Sequence, residues 1–268
     1  QHIVASSLSA AIARLTGKRV FVSDLGGGGW DISGYVSTDR WYHGHLHISE
    51  YSRKYFGHSS SPQAHVILGG VDVERFSPAP ASQRTKDVLF VGRLLPHKGV
   101  NYLIDGLPND MTLNVAGRPY HEEYFQYLCS RADGKQVQFH HNWDDDQLIE
   151  AYRTSLVIVL PSVFMDVYGN KSGVPELLGQ TLLEGMACGI PAICANVASM
   201  PEIVIDGVTG FIVPPNDPAA IHSRLSWLRD HPEDARRMGQ AARERVLKVF
   251  TWPAVVKRCL EAYALPKA

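Results

Sequence analysis

The stretch Leu156-Val157-Ile158-Val159-Leu160 is an unbroken run of apolar residues, and Pro161 and Ser162 follow it directly. A strand that is apolar on both faces has to be covered on both sides. Parallel strands lie in that position, between two layers of helices. The run therefore predicts a central strand of a parallel sheet and places the chain in the α/β class.

Short apolar runs alternate with helical patterns on both sides of this strand. Alternation of this kind is typical of βα units in a doubly wound sheet. We therefore expect a complete Rossmann-like domain over residues 87–250. Its further strands are predicted at 88–91, 112–116, 137–139, 192–195 and 211–213, and its helices at 99–107, 121–131, 144–154, 181–188, near Pro201 and from Pro218 onward.

Residues 1–78 contain fewer predicted elements. Helices are predicted at 5–15 and 50–56, and strands at 20–23, 44–48 and 64–68. Three strands make a poor independent sheet, so we expect the back part of an N-terminal Rossmann-like domain whose opening strands are missing. The proline-containing residues 79–86 are the predicted linker. Residues 251–268 are expected to form a C-terminal helix that packs back on the N-terminal domain.

The composition excludes several classes of protein. Lys and Arg number 26 against 27 Asp and Glu, so no global field recruits nucleic acid. The 45% of hydrophobic residues exclude a disordered chain. No apolar run approaches the roughly 20 residues that span a bilayer. Four scattered cysteines without a C-x-x-C pair favour the cytoplasm. Peripheral membrane contact and the oligomeric state stay open.

Polar residues follow the predicted strands at the points where ligands bind in open α/β sheets, beyond the carboxyl ends. Gly92, Arg93 and Lys98 come after the strand at 88–91. Ser162 and Glu176 come after the central strand. A guanidinium grips two phosphate oxygens together and an ammonium adds a compact charge. This set predicts a diphosphate site, although an Arg and a Lys at this spacing also occur on ordinary solvated surfaces.

The segment Gly179-Gln180-Thr181 opens the helix predicted at 181–188 and offers a second anion site. Glycine at a helix entry lets backbone N–H groups approach an anion where the helix dipole is positive. Glu184 is expected on the first turn, where a carboxylate accepts the two adjacent hydroxyls of a ribose. A nucleotide satisfies all of these groups. The plainer interpretation of Glu184 is a complement to the helix dipole.

Three further motifs have weaker implications. His141 and Trp143, with Gly117, are the predicted contacts of a nucleobase. His43, His45 and His47 share one face of a strand, but packing is favoured over a metal site because no other ligand completes the set. The run Gly26–Gly29 is not a G-x-G-x-x-G that opens a helix, which disfavours a dinucleotide oxidoreductase.

The run from Glu176 to Pro191, ELLGQTLLEGMACGIP, resembles the E-x7-E signature of retaining glycosyltransferases of family 4, which have the GT-B fold of two Rossmann-like domains. Residues 92–99 are similar to that family's G-R-x-x-x-x-K-G element. Residues 201–217 are similar to its P-E-I-V-x-D-G-x-T-G tail, and residues 71–78 to its domain junction. The resemblance covers residues 65–265.

The resemblance implies a hexose-type transfer from a UDP- or GDP-activated donor in the second domain to an acceptor in the first. Arg93 and Lys98 would neutralise the leaving diphosphate, Glu184 would bind the ribose, and Glu176 would face the donor sugar. These assignments make Glu176, Arg93 and Lys98 the expected catalytic residues. The anomeric configuration would be retained, without a metal or a further cofactor. The expected backbone contacts to sugar and phosphate come from Gly179, Gln180, Thr181 and Leu182.

The sequence departs from the family pattern at three places. Leu25 stands where the family often has a histidine, and Gly69-Gly70 replaces Asn-Gly. The loop 163–175 is longer than usual, so its Tyr168, Asn170 and Lys171 are expected to shape access to the site. Two alternatives remain beside a transferase. One is a module that binds the donor without turnover, and the other is an epimerase or phosphorylase on the same fold.

Overall fold

A computed structural model describes residues 2–24, 42–79, 84–85, 87–173 and 175–264. The chain divides into two compact units. The first comprises Gln1–Gly69 and Pro253–Ala268, and the second comprises Gly70–Trp252. Most of the predicted linker, the glycine run 26–29 and Leu25 lie outside the described residues.

The first unit contains a parallel sheet of three strands, β1 (Phe21–Asp24), β2 (Gly44–His47) and β3 (Ala64–Val66), which lie side by side in that order. Phe21 of β1 pairs with Gly44 of β2, and His45 of β2 pairs with Ala64 of β3. Ser49 begins the second helix with a capping box, because its hydroxyl accepts the Ser52 amide. Helix α1 (His2–Leu15) precedes β1 in the sequence, and helix α2 (Glu50–Tyr55) lies between β2 and β3.

The second unit contains a parallel six-stranded sheet with helices between its strands. The elements are β4 (Val88–Val91), α3 (Val100–Asp105), β5 (Leu113–Ala116), α4 (Glu122–Ala132), β6 (Val137–His140), α5 (Asp145–Thr154), β7 (Val157–Leu160), α6 (Gln180–Ala187), β8 (Ala192–Ala195), α7 (Met200–Ile203), β9 (Gly210–Val213), α8 (Pro218–Asp230) and α9 (Pro232–Val249). The strand order is β6-β5-β4-β7-β8-β9. This order confirms the predicted doubly wound sheet.

The sheet order places β4 beside β7 although two strands lie between them in the sequence. The chain winds to one side of β4 and then to the other, which creates a topological switch point. Ligands bind at such a point, beyond the carboxyl ends of the two strands. The buried residues Val88 and Val157 pair in this centre, and both are fully buried. The prediction that residues 156–160 form a central strand is therefore confirmed, since β7 lies in the middle of the sheet.

The last helix, α10 (Trp252–Ala264), contributes to the core of the first unit. Its Val255 and Ala262 pack with Leu46 and Ile67. Arg258 also donates a hydrogen bond to the Ile67 carbonyl at 3.1 Å. Burial of this apolar face holds the helix against the sheet.

The boundary between the units falls after Gly69, earlier than the expected boundary after residue 78. The intervening segment lies in the second unit because arginines bind its carbonyl groups. Arg153 donates to the Ser77 carbonyl at 2.9 Å, and Arg243 donates to the Phe76 carbonyl at 3.1 Å. Neither arginine is adjacent to the segment in sequence, so no local pattern marks this attachment.

Gly99 brings the turn after β4 against the loop after β7. Its φ is +68°, and an added Cβ would lie 2.2 Å from the Pro161 carbonyl oxygen. Left-handed backbone disfavours any residue with a Cβ, and here the space is also occupied. Only glycine allows the two loops to approach this closely.

We expect Gly99→Ala to destabilise the protein by about 1–3 kcal/mol more than Gly134→Ala. Gly134 is the matched control, since its φ is +72° and nothing lies within 4 Å of an added Cβ. Both variants introduce the left-handed penalty, and only G99A introduces a clash. Chemical denaturation of the two variants measures the difference. Equal losses would show that the contact with Pro161 relaxes without cost.

Candidate functional site

The loops that follow β4 and β7 meet at the switch point. After β4, residues Pro96–Lys98 form a short 3-10 turn, and Gly99 then leads into α3. The Val163 amide, just after Ser162, donates to the His97 carbonyl at 2.8 Å. This bond ties the predicted Lys98 and Ser162 segments to each other at the carboxyl edge of the sheet.

Lys98 and Glu176, which are 78 residues apart in the sequence, form an ion pair. Lys98 Nζ lies 2.5 Å from Glu176 Oε2, and the side chains are only 13% and 15% exposed. Glu176 Oε1 accepts the Gly179 amide at 3.2 Å. One carboxylate thus joins the lysine to the entry of α6. The structure brings together Lys98, Glu176 and Gly179, as the sequence predicts.

Among the residues that the structure describes, no side chain caps the N-terminus of α6. Gly179 is the N-cap in left-handed backbone, with φ 74° and ψ 51°. The Leu182 amide donates to the Gly179 carbonyl at 3.0 Å. The amides of Gln180 and Thr181 head the helix and have no carbonyl one turn earlier in the helix to bond. They are better placed than Leu182 to receive an anion at the positive end of the helix.

Glu184 lies on the second turn of α6, not on the first as expected, because the helix already begins at Gln180. The Tyr152 hydroxyl donates to Glu184 Oε2 at 2.7 Å. Burial raises the pKa of the Glu184 carboxyl. Hydrogen bonds from Tyr152 and Gln180 and the charge of Arg75 oppose that rise in pKa. Glu184 therefore does not complement the helix dipole from the first turn, which was its plainer interpretation.

A cavity of about 240 Å³ opens at the same edge of the sheet, beyond β4 and β5. It brings together Gly92 and Arg93 with the three residues predicted to contact a nucleobase, Gly117, His141 and Trp143. Sequence reasoning missed Arg118 and Tyr120, which also line it. Their position directly after β5 is the signal that could have found them.

Gly117, which lines this cavity, contacts the backbone of Gly92 and the imidazole of His141. A Cβ on Gly117 would lie 1.8 Å from the Gly92 carbonyl oxygen, so the two loops touch along their backbones. His141 Nδ1 lies 2.8 Å from the Gly117 carbonyl and must donate its proton there. The Trp143 ring stacks on His140 with centroids 3.9 Å apart.

Ser162 and Arg93 differ in exposure. The Ser162 side chain is fully buried, and its Oγ has no hydrogen-bond partner among the residues that the structure describes. Arg93 is exposed at the mouth of the cavity. Burial and the neighbouring charges of Lys98 and Arg93 lower the pKa of His97, although Glu176 and Asp166 oppose this. His97 therefore lies close enough to both cations to feel their charge.

The histidines of β2 pack in the first unit. His45 and His47 have stacked rings 6.5 Å apart, and His47 Nε2 lies 2.9 Å from His58 Nδ1. Burial and the charges of His58, His45 and Arg53 lower the pKa of His47 to about 4, so it is neutral near pH 7. His43 accepts the Val20 amide. Within the described ranges, no group of three or more His, Cys, Asp or Glu side chains could hold a metal ion.

The long loop after Ser162 is folded on itself. Asp166 accepts the backbone amides of Tyr168 and Asn170, each at 2.9 Å. Lys171 pairs with Met165 across the loop. The Tyr168 ring stacks on His121, the residue just before α4, and the ring centroids are 6.1 Å apart. The effect of these residues on access stays a prediction.

Residues 72–245 match the profile of the family described as glycosyl transferases group 1. The chain belongs to this family. It is 32% identical over 199 residues to the D-rhamnosyltransferase WbpZ of Pseudomonas aeruginosa, covering 69% of this chain and 49% of that protein. It is also 30% identical over 228 residues to a GDP-mannose-dependent phosphatidylinositol monomannoside mannosyltransferase of Mycolicibacterium smegmatis. That match covers 76% of this chain and 58% of that protein. This group 1 chain thus spans about half the length of the curated relatives it matches.

Several solved structures share the fold of this group 1 chain. The Anabaena protein HepE, in complex with UDP and glucose, has a TM-score of 0.80 at 17% identity, covering 96% of this chain and 74% of that one. The sucrose-phosphate synthase of Thermosynechococcus elongatus has a TM-score of 0.74 at 22% identity, covering 96% and 71%. These likenesses show the fold alone and confirm the expected GT-B type. No described helix is both long and apolar enough to cross a membrane.

Proposed function

We propose that this member of the group 1 family is a retaining glycosyltransferase that uses a UDP- or GDP-activated sugar. The observation that carries the proposal is the joint placement of Lys98, Glu176 and the entry of α6 at the switch point. These groups meet at one edge of the sheet. The cation and the helix N-terminus suit the diphosphate of a donor, and the carboxylate suits its sugar.

Lys98 and the Gln180 and Thr181 amides would bind the diphosphate, and Arg93 would approach it from the cavity mouth. Negative charge grows on the diphosphate as the bond to the sugar breaks. Donors that are already in position stabilise this charge without reorganisation. We propose no cofactor or metal for this step, because these groups supply the compensating positive charge.

Glu176 would face the donor sugar. In the proposed reaction the bond between C1 and the diphosphate oxygen breaks, and the electron pair remains on the oxygen. The acceptor hydroxyl attacks the oxocarbenium-like sugar from the same face, and its proton passes to the departing phosphate oxygen. Attack on that face retains the anomeric configuration. The Glu176 carboxylate would orient sugar hydroxyls and stabilise the positive charge on the ring.

The nucleoside would extend from the diphosphate toward the cavity. Glu184 would accept the ribose hydroxyls, and Gly117, His141 and Trp143 would surround the base. Two comparisons support the choice of donor. One relative is named as GDP-mannose-dependent, and the HepE structures contain UDP or UDP-glucose. The cavity of about 240 Å³ would accept the base of either nucleotide.

We expect Glu184→Ala to weaken nucleoside diphosphate binding by about 1–3 kcal/mol, the scale of hydrogen bonds to a charged group. Isothermal titration calorimetry with UDP and GDP measures the change. Glu150→Ala is a control, because Glu150 is an exposed carboxylate on α5. Unchanged affinity in E184A would remove the ribose assignment.

A donor panel tests the proposed function. UDP-glucose, UDP-N-acetylglucosamine and GDP-mannose are added separately, and the melting temperature is recorded, since a ligand of the native state raises it by mass action. The stabilising donor is then assayed for transfer to glycan, lipid and small-molecule acceptors. No stabilisation by any nucleotide sugar would contradict the proposal.

The same assay separates the alternatives. Stabilisation without sugar transfer or donor hydrolysis would indicate a donor-binding module. An isomerised sugar after incubation with the donor alone would indicate an epimerase, and phosphate-dependent glycan cleavage a phosphorylase. We also propose a reducing compartment, the cytoplasm, because Cys129, Cys188, Cys194 and Cys259 are all free thiols.

A further inference from the structure

The carboxylate proposed to bind the ribose has a partner that the sequence did not indicate. Tyr152 lies on α5, its side chain is fully buried, and its hydroxyl donates to Glu184 Oε2 at 2.7 Å. Phe76 packs edge-on against the Tyr152 ring, with centroids 5.7 Å apart. The ring is thus packed in the core, and its hydroxyl bonds Glu184.

The surroundings of Glu184 contain neutral donors in place of a cation. In the described part of the chain, no Lys or Arg forms an ion pair with Glu184 within 4.0 Å. Arg75 acts on it only through its charge, and it is engaged with Asp145 at 2.5 Å. A neutral hydroxyl stabilises the carboxylate but leaves its negative charge available to a ligand.

We propose that Tyr152 is a positioning residue for nucleotide binding. Its hydroxyl fixes one oxygen of Glu184, and Gln180 also donates to this carboxylate, so that the carboxylate is presented to the ribose hydroxyls in one orientation. This inference rests on the proposed function, because it assumes that Glu184 receives the ribose. Tyr152 itself touches no substrate.

The hydroxyl also has a chemical effect on Glu184. The pKa of Glu184 is raised by burial, and the Tyr152 hydrogen bond lowers it. Loss of the hydroxyl therefore raises this pKa further, and the carboxylate becomes protonated at a higher pH. A protonated carboxyl accepts hydrogen bonds poorly. In Tyr152→Phe, nucleotide affinity should thus begin to fall at a higher pH than in the unsubstituted protein as the solution is acidified.

Two further ionisable side chains act on this pair: the charge of Arg75 influences Glu184, and Cys188 influences Tyr152. Cys188 lies at the end of α6, and burial raises its pKa to about 12, so it stays a neutral thiol over the range tested. The other ionisable groups of the site and the nucleotide's own phosphate are the same in both proteins, so the difference between their acid limbs between pH 5 and 8 reports on Glu184.

Calorimetry with Y152F tests the inference. UDP and GDP are titrated at several pH values, together with 2′-deoxy-UDP and 2′-deoxy-GDP. Y152F should bind the ribonucleotide about tenfold more weakly. Its preference for the ribonucleotide over the 2′-deoxy form should shrink, and its acid limb should move to higher pH. A merely structural tyrosine would weaken both forms equally and leave the pH profile in place.

Tyr124→Phe is the matched control. Tyr124 is also fully buried, and its hydroxyl donates to Asn101 Oδ1 at 2.9 Å, not to Glu184. Y124F should keep both the preference for the ribonucleotide and the pH profile. The double variant Y152F/E184A should bind no more weakly than E184A, because the hydroxyl acts through the carboxylate.

The outcomes separate this inference from the proposed function. If the unsubstituted protein binds neither UDP nor GDP, the proposed function fails and the role of Tyr152 fails with it. If it binds, and E184A weakens binding but Y152F changes neither the ribose preference nor the pH profile, the role of Tyr152 alone is overturned. If Y152F does not fold, the 2′-deoxy comparison in E184A still tests the inference, because an undiminished preference for the ribonucleotide in E184A would leave Tyr152 no ribose-binding carboxylate to position and would overturn it.

Discussion

Lys98→Ala is expected to lower the rate of sugar transfer by about 100- to 1000-fold, the usual cost of removing one donor to a developing negative charge. Lys98 Nζ is the cation that reaches Glu176 at the entry of α6, within a nearly enclosed pair. Without it, the leaving diphosphate retains only the helix amides and Arg93. Binding of UDP or GDP should weaken as well, since the ground state already carries negative charge.

The control for K98A is Arg131→Ala. Arg131 also forms an ion pair, with Asp105 at 2.6 Å, but it lies on α4 and its side chain is 45% exposed. Removing an exposed pair changes stability by less than about 1 kcal/mol, so transfer should persist in R131A. Steady-state rates and thermal melting are measured for both variants. K98A protein that melts early yet retains its specific activity would show that Lys98 serves the fold alone.

Glu176→Gln should also abolish most transfer, by about 100-fold or more, while UDP or GDP binds at least as tightly as before. Glu176 currently holds both Lys98 and the Gly179 amide, two groups that a diphosphate or sugar would use. Its negative charge also repels the diphosphate. Glutamine keeps the shape and removes the charge, so the ground-state complex improves while the positive charge on the reacting sugar loses its partner.

Opposite changes in binding and in turnover are the distinctive result for E176Q. Calorimetry gives the affinity for the nucleoside diphosphate, and single-turnover transfer gives the rate of the chemical step. Glu122→Gln is the control, since Glu122 is an exposed carboxylate whose partner is Gln126. A parallel loss of nucleotide binding and transfer in E176Q would contradict the proposed role and would assign Glu176 to structural support of α6.

The sequence predicts most elements of the second unit because the signals there are local. Buried parallel strands have unbroken apolar runs, as in Val157–Leu160, and Asp144 marks the start of α5 with a side-chain cap on the Gln147 amide. The carboxyl-end rule then selects Lys98 and Glu176 without knowledge of their contact. Neither step needs information from distant parts of the chain.

Other features depend on contacts between distant residues, and local patterns do not reveal them. Tyr152 has the spacing of an ordinary core residue on α5, and only the packing of α5 on α6 brings its hydroxyl to Glu184. The unit boundary depends on Arg153 and Arg243, which bind carbonyls of residues 73–77. The second-turn position of Glu184 depends on the left-handed backbone of Gly179, which sets the first residue of α6.

An experimental structure of the protein with UDP or GDP tests the central claim most directly. The account predicts diphosphate oxygens within hydrogen-bonding distance of Lys98 Nζ and of the Thr181 amide, with the ribose at Glu184. A diphosphate bound instead in another basic pocket, such as the one lined by Arg14, Lys18 and Arg19 in the first unit, would contradict it.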